Sequence, residues 1–183
     1  SPDIFTILET MKTQRHTVPR LPGYTLKFQA AQKTKRRGRG SGGTVVYIRD
    51  EIAPNCVVRR TSKASILWLG VSGRGADRTK FRSWFAFCYC RPRLPGTDNA
   101  HFDEFYKLLR QGIKKRMTED TKFDFPINSF ALVGDFNCRL GKLTNDCDPS
   151  GKFVQHPHAE KFLEFIKSCK LRIMNVECKD LTP

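Results

Sequence analysis

Through the first half of the chain, apolar and polar residues alternate in short runs separated by turn-forming residues. Residues 3–8 (DIFTIL) form an apolar run that predicts a buried strand ending at Glu9. Residues 24–28 alternate Tyr, Leu and Phe with Thr and Lys, the pattern of a half-buried strand. The β-branched run at 44–48 (TVVYI) predicts another. Residues 56–60, 65–71 and 81–89 follow as further strands, set apart by Pro, Ser, Gly and Asp. Residues 30–43 are basic and glycine-rich with no apolar periodicity, so they predict a solvated loop.

The texture changes after Pro95. Phe102, Phe105, Tyr106, Leu109 and Ile113 recur at helical spacing, predicting a helix that starts at Asp98 or Asn99 with Asp98 as its N-cap. Lys114, Lys115 and Arg116 fall at its C-terminal end, where the helix dipole favours cations. Residues 129–133 predict a buried strand leading into Gly134, Asp135, Phe136 and Asn137, and a polar loop then runs to Val154. Phe162, Leu163, Phe165 and Ile166 mark a second amphipathic helix, and residues 171–176 read as a closing strand. Strands come early and helices late, which predicts an α/β fold with two sheets packed together, in a single domain over 1–183.

Charge adds a partner class to this picture. The 183 residues carry 33 Lys and Arg against 18 Asp and Glu, a net charge of +15, which favours a polyanion such as nucleic acid. Aromatics at 11% argue against a disordered basic tail, and no apolar run approaches the roughly 20 residues of a membrane helix. Residues 12–63 hold thirteen Lys or Arg and two acids, a net +11; residues 118–150 hold three bases and six acids, a net −3. An enzyme that uses a metal ion on a phosphate backbone wants both kinds of segment. Seven cysteines, an odd number, together with first residues that lack a basic-then-apolar leader pattern, predict reduced thiols in an intracellular compartment. Cys88 and Cys90 share one strand face and are expected to pack as small apolar residues. Cys138, Cys147, His156 and His158 lack a C-x-x-C pair and are irregularly spaced, a poor zinc pattern. His156 and His158 flank Pro157 at a helix start, where capping or surface roles are expected.

Two carboxylates stand out because each directly follows an apolar strand: Glu9 after DIFTIL and Asp135 after FALVG. A charge at a strand end is held rigidly while pointing into the loop crevice, where ligands bind. Mg²⁺ takes one or two carboxylates together with substrate phosphate oxygens. Asn137, two residues beyond Asp135, presents an amide for the same phosphate. The bland alternative for both acids is a solvated strand end.

The segment ALVGDFNCRLG (131–141) resembles the GDFN signature of the endonuclease/exonuclease/phosphatase superfamily. PDIFTILET (2–10) is similar to that family's strand ending in a metal-binding Glu. GSGGTVVYIRDEI (40–52) and FAFCYCRP (85–92) resemble strands of the endonuclease domains of non-LTR (LINE-like) retrotransposons, and 156–175 is similar to the helix and strand that follow GDFN there. The resemblance implies a four-layer α/β/β/α sandwich of two mixed β-sheets flanked by helices, incomplete at its first and last strands. Glu9 would hold Mg²⁺ or Mn²⁺, Asp135 would orient or deprotonate the attacking water, and Asn137 would contact the scissile phosphate. Tyr89 would face the substrate, with packing in the core as its alternative, and the family's tyrosine-to-proline spacing counts back from Pro92 to Cys90, so Tyr89 and Cys90 remain alternatives for that position.

The same resemblance expects an Asn-bearing strand ahead of Ser1, and an Asp and a Ser-Asp-His segment beyond Pro183. Lacking these, the chain is expected to be weakly active or inactive, and the isolated chain poorly soluble. The implied function is that of a DNA-nicking phosphodiesterase, nuclear and linked in the intact protein to a reverse transcriptase. RNA or an abasic duplex are alternative substrates. A second reading is a non-catalytic nucleic-acid-binding protein in which Lys33, Lys35, Arg36, Arg37 and Arg39 contact phosphates.

Overall fold

The computed structural model describes residues 1–14, 16–32, 40–61, 65–74, 78–92, 100–119 and 129–174. Among them lie β1 (Ile4–Leu8), β2 (Tyr24–Gln29), β3 (Thr44–Arg49), β4 (Cys56–Thr61), β5 (Ser65–Arg74), β6 (Lys80–Tyr89), α1 (Ala100–Glu119), β7 (Ser129–Asp135) and α2 (Ala159–Ser168). The strands form two sheets, one of order β1-β3-β2 and one of order β4-β5-β6-β7. The first is antiparallel throughout, whereas the second is mixed, because β7 runs parallel to β6. This is the two-sheet α/β fold that the alternation predicts. No helix among the described residues is long and apolar enough to cross a membrane.

The fold divides into two compact units, Ser1–Pro92 with Gln111–Phe136, and Arg93–Arg110 with Asn137–Pro183. The first unit contains both sheets. Val46 and Ile48 of β3 meet Leu67 and Leu69 of β5 and Phe87 of β6, with Ile4, Leu8, Cys56, Val58 and Phe85 packed around them. Period-2 alternation sends the intervening side chains outward. On the outer face of the three-stranded sheet, Phe5 stacks on Tyr47 at 4.7 Å and meets Tyr24 edge-on at 5.5 Å. The Tyr47 hydroxyl donates to the Pro19 carbonyl at 2.9 Å, so the β1–β2 connection reaches this face. Among the described residues, helical cover lies on the four-stranded sheet.

There the second half of α1 meets Trp68 and Trp84. Trp68 is fully buried and its indole N–H donates to the Thr61 hydroxyl at 3.3 Å. Arg116, one of the three cations at the C-terminal end of the sequence-predicted helix, is 5% exposed, its guanidinium 5.6 Å from the Trp68 ring and 5.1 Å from the Trp84 ring. Facing two indoles offsets part of its desolvation, since a desolvated cation–π contact is worth about 2 kcal/mol. The helix also runs past Arg116, to Glu119, so its end lies beyond the basic triplet.

Gly112 permits the close approach of α1. A Cβ there would come within 2.8 Å of Cε2 of Trp68. Helix propensity favours alanine by about 1 kcal/mol, but forcing a methyl group against a fully buried ring costs roughly 1–3 kcal/mol. Gly112→Ala is therefore expected to lower the urea unfolding midpoint. A variant more stable than wild type would contradict this packing.

Three expectations need correction here. β7 lies at the edge of its sheet among the described strands and is not buried: Val133 is 46% exposed, and Gly134 and Asp135 are open to solvent. An apolar run looks alike on a central strand and at an edge, because position in the sheet is decided by topology. Residues 171–174 form no strand, and 175–176 lie outside the described residues. A strand exists only through a ladder partner, and none of the described strands pairs with this run. The segment 30–43 is not simply a solvated loop either. Its described ends are buried at Ala31, Gly40, Gly42 and Gly43, and Gln32 and Ser41 form an antiparallel bridge. Asp98, expected as the N-cap of α1, lies outside the described residues.

The second unit is held by an aromatic cluster. Tyr106 of α1 stacks on Phe165 of α2 at 5.4 Å and meets Phe162 at 5.8 Å. Lys161 bridges to Asp103 at 2.7 Å, and Arg110 donates to the Ser168 hydroxyl at 3.2 Å. His158 stands at the N-cap position of α2, one of the two places expected of it, but is fully buried and stacked on Phe102 at 3.5 Å. Its Nδ1 lies 2.6 Å from Nδ1 of His156, and it supplies no side-chain capping bond to α2.

Candidate active site

β6 and β7 run side by side in parallel, and their last paired residues are Tyr89 and Asp135. The Asp135 carbonyl accepts a hydrogen bond from the Cys90 N–H at 2.8 Å, which fixes the two strand ends level. Gly134 makes this pairing sterically feasible. Its φ is 154°, and a Cβ there would overlap the Cys88 carbonyl oxygen and lie 2.8 Å from the carbonyl carbon. The glycine of GDFN is thus required by the backbone of β6.

β1 brings in the second carboxylate. Leu8 is its last ladder residue, opposite Thr44, and the chain then turns through left-handed conformations at Glu9 (φ 55°) and Met11 (φ 56°). Such φ values cost a non-glycine residue roughly 1–3 kcal/mol and persist only when the surroundings hold them. Backbone bonds supply that hold: Thr10 N–H donates to the Gly43 carbonyl at 3.2 Å and Met11 N–H to the Gly42 carbonyl at 2.9 Å. Gly42 lies close to Tyr89, since a Cβ on it would stand 3.3 Å from the ring atom Cδ1. The Glu9 side chain itself is exposed.

Tyr89 joins the two acids. The residue is 6% exposed, and its hydroxyl hydrogen-bonds the Glu9 carboxylate. Burial, then that bond and the negative charge of Glu9, then the charge of Asp135, push its pKa up to about 12 from an ordinary 10.0, and a hydrogen bond from Ser41 opposes the rise. At neutral pH it is a phenol that donates and does not act as a base. Ser41 accepts in turn from Nε of Arg91 at 3.2 Å.

The sign of the linkage follows from the raised value. Stability from the protonated phenol is complete below about pH 10 and is lost as pH rises through about 12. In Tyr89→Phe the melting temperature should fall less steeply between those values than in wild type. Parallel slopes would contradict the Glu9–Tyr89 contact.

Of the positions expected from sequence, Glu9, Tyr89 and Asp135 are brought together at the ends of β1, β6 and β7. Cys88 and Cys90 are both fully buried, and burial pushes the Cys88 thiol upward. Of the Tyr89 and Cys90 alternatives, Tyr89 is the one that meets the carboxylates. Asn137 belongs to the second unit, half-buried with φ 46°. Lys33, Lys35, Arg36, Arg37 and Arg39 lie outside the described residues. Ser41 and Arg91 were not expected. The one sequence signal for Arg91 is the extra residue between Tyr89 and Pro92.

The acids at 146 and 148 do a different job from the one their charge suggests. Asp146 accepts from the Leu140 N–H at 2.9 Å and from the Thr144 hydroxyl. Asp148 accepts from the Ser150 N–H and hydroxyl and from the Lys152 N–H, and the bond from the Ser150 hydroxyl leads the causes that hold its pKa below the usual carboxylate range. Both are used in turns. The Cys138 thiol is pushed up to about 12 by burial and then by Asp146, which suits an inert thiol better than a zinc ligand.

Among the described residues, no three His, Cys, Asp or Glu side chains group as a metal cage. Two exposed carboxylates flanking one phenol are hard oxygen donors, too few for a closed structural site. They fit a cation such as Mg²⁺ or Mn²⁺ that takes its remaining ligands from water and substrate. No protein-family model matches the chain, and no curated protein matches it.

Proposed function

We propose that this chain is a divalent-cation-dependent phosphodiesterase domain that nicks DNA slowly. The observation that carries the reading is the convergence of Glu9 and Asp135 on the protonated hydroxyl of Tyr89 at the open ends of three strands. The net +11 of residues 12–63 supports a polyanionic substrate, and Arg59 and Arg60 of that segment stand exposed on β4.

Glu9 holds the cation, which when bound neutralises charge developing on the phosphoryl and leaving-group oxygens. Asp135, exposed at the end of β7, takes a proton from the attacking water. The water oxygen bonds to phosphorus as the bond from phosphorus to the 3′ oxygen breaks, and the departing alkoxide takes a proton from solvent. The products are a 3′-hydroxyl and a 5′-phosphate. Tyr89 keeps its proton throughout and holds Glu9. The slow rate rests on the resemblance alone, since none of His16, His101, His156 and His158 stands in the sequence context of that family's catalytic histidine. The role of Asn137 at the phosphate rests on the resemblance alone. In an intact protein such a domain would act on nuclear DNA and be linked to a reverse transcriptase.

The test is supercoiled plasmid with Mg²⁺, followed by DNA polymerase and labelled nucleotide without end repair. Open circles that accept label directly are expected. Open circles that accept label only after phosphatase treatment, or no open circles above the buffer rate, would overturn the proposal.

A further inference from the structure

The polar stretch between Asn137 and α2, expected from sequence as a plain loop, is stitched together by its own backbone. Asp148 N–H donates to the Lys152 carbonyl at 2.9 Å and Val154 N–H to the Asp146 carbonyl at 2.8 Å, a narrow hairpin that sets Cys147 opposite Phe153. Asp146 N–H also donates to the Gly141 carbonyl at 2.9 Å, which ties the hairpin to a single helical turn at Gly141–Leu143. The carboxylates of Asp146 and Asp148 are occupied by donors of the loop itself, the Leu140 N–H and Thr144 hydroxyl for one, Ser150 and the Lys152 N–H for the other. All of these residues belong to one compact unit.

This framework holds an aromatic ring in the open. Phe153 is 43% exposed, and the Lys142 ammonium, carried by the helical turn, stands 5.7 Å from the centre of its ring. A singly exposed apolar side chain is ordinary. Here, however, the backbones under both the ring and the cation are pinned by hydrogen bonds, so little ordering is left to lose when a ligand arrives. Leu143, next to Lys142, is 39% exposed and widens the apolar surface.

We propose that Phe153 and Lys142 form a stacking platform for an unpaired nucleobase, so that this loop binds single-stranded nucleic acid. A base has a flat π-face that matches the ring, and its phosphate matches the ammonium. A duplex keeps its bases stacked on one another and offers no such face. Inorganic phosphate would leave the ring unused, and an apolar peptide would leave the cation unused. Arg139 and Lys152, exposed on the same loop, add positive charge for the neighbouring phosphates. The site goes beyond the phosphodiesterase reading and needs neither Glu9 nor Asp135.

The experiment measures anisotropy of three fluorescein-labelled probes of equal length: a thymidine oligonucleotide, the same backbone with every base removed, and a duplex. Wild type should bind the thymidine strand about 5- to 150-fold more tightly than the baseless one, the range of a single base–aromatic stack. Phe153→Ala should erase that difference while leaving the baseless strand, the duplex and the melting temperature unchanged. Phe153→Trp should keep the preference, and its indole emission should be quenched by the thymidine strand, against a background of two buried tryptophans, Trp68 and Trp84. Lys142→Ala should weaken both single strands and lower the slope of log affinity against log salt by about 0.7. A folded Phe153→Ala that still distinguishes the two strands, a Phe153→Trp bound without quenching, or an equal loss on the duplex would each overturn the proposal. If wild type nicks plasmid while Phe153→Ala discriminates as wild type does, only this inference fails. If the platform behaves as expected and wild type nicks nothing, only the phosphodiesterase reading fails.

Discussion

Replacing Asp135 with asparagine is expected to slow nicking by about 10²- to 10⁴-fold, the range typical of a lost general base. The substitution keeps the side-chain shape, and the β7 backbone is held by its ladder to β6 and by the Cys90 N–H to Asp135 carbonyl bond, neither of which involves the carboxylate. Folding and DNA affinity should therefore be little changed, with the loss confined to turnover. A second signature accompanies it. The Asp135 charge helps raise the Tyr89 pKa, so in Asp135→Asn tyrosinate absorbance should appear at lower pH than in wild type. An unchanged tyrosine titration would mean that Asp135 does not face Tyr89. Unchanged nicking would remove Asp135 from the chemistry.

Gly134→Ala should have the largest effect on the fold. The glycine adopts φ 154°, and a methyl group would be driven into the Cys88 carbonyl, backbone that is itself committed to the β6 ladder. Strain of this kind costs roughly 1–3 kcal/mol, and overpacking against backbone adds a comparable amount, so a loss of about 3 kcal/mol or more is expected. For a marginally stable domain that is a large fraction of the total. Urea denaturation should show a much lower midpoint, or no cooperative transition. The position also precedes Asp135, so any folded fraction should have lost the level pairing of Tyr89 and Asp135 and nick poorly. A variant as stable as wild type would show that β7 does not approach β6 as described.

The strands were legible because alternation and turn residues are local signals, and β1 to β6 lie where these placed them. Glu9 and Asp135 were legible for a related reason: a carboxylate directly after an apolar run has few roles besides a strand end. What escaped depends on neighbours distant in sequence. Arg116 reads only as a helix-end cation until two tryptophans from different strands close over it. Residues 129–133 read as buried, but β7 has β6 on only one side among the described strands, and its other edge leaves Val133 exposed. Residues 171–174 have strand composition, but none of the described strands pairs with them. Ser41 and Arg91 are ordinary polar residues until the Gln32–Ser41 bridge and the end of β6 bring them behind Tyr89. His158 takes the expected N-cap position, but an imidazole beside a proline at a helix start gives no hint of a Phe102 ring to stack on.

The central claim is that Glu9 and Asp135, 126 positions apart in the chain, serve one cation-dependent site. Its most direct test is supercoiled-plasmid nicking by wild type with Mg²⁺, with Mg²⁺ plus chelator, and by Glu9→Ala and Asp135→Ala with Mg²⁺. The account predicts slow nicking by wild type that disappears with chelator and in both variants. Nicking that persists with chelator, or in either folded variant, would contradict it.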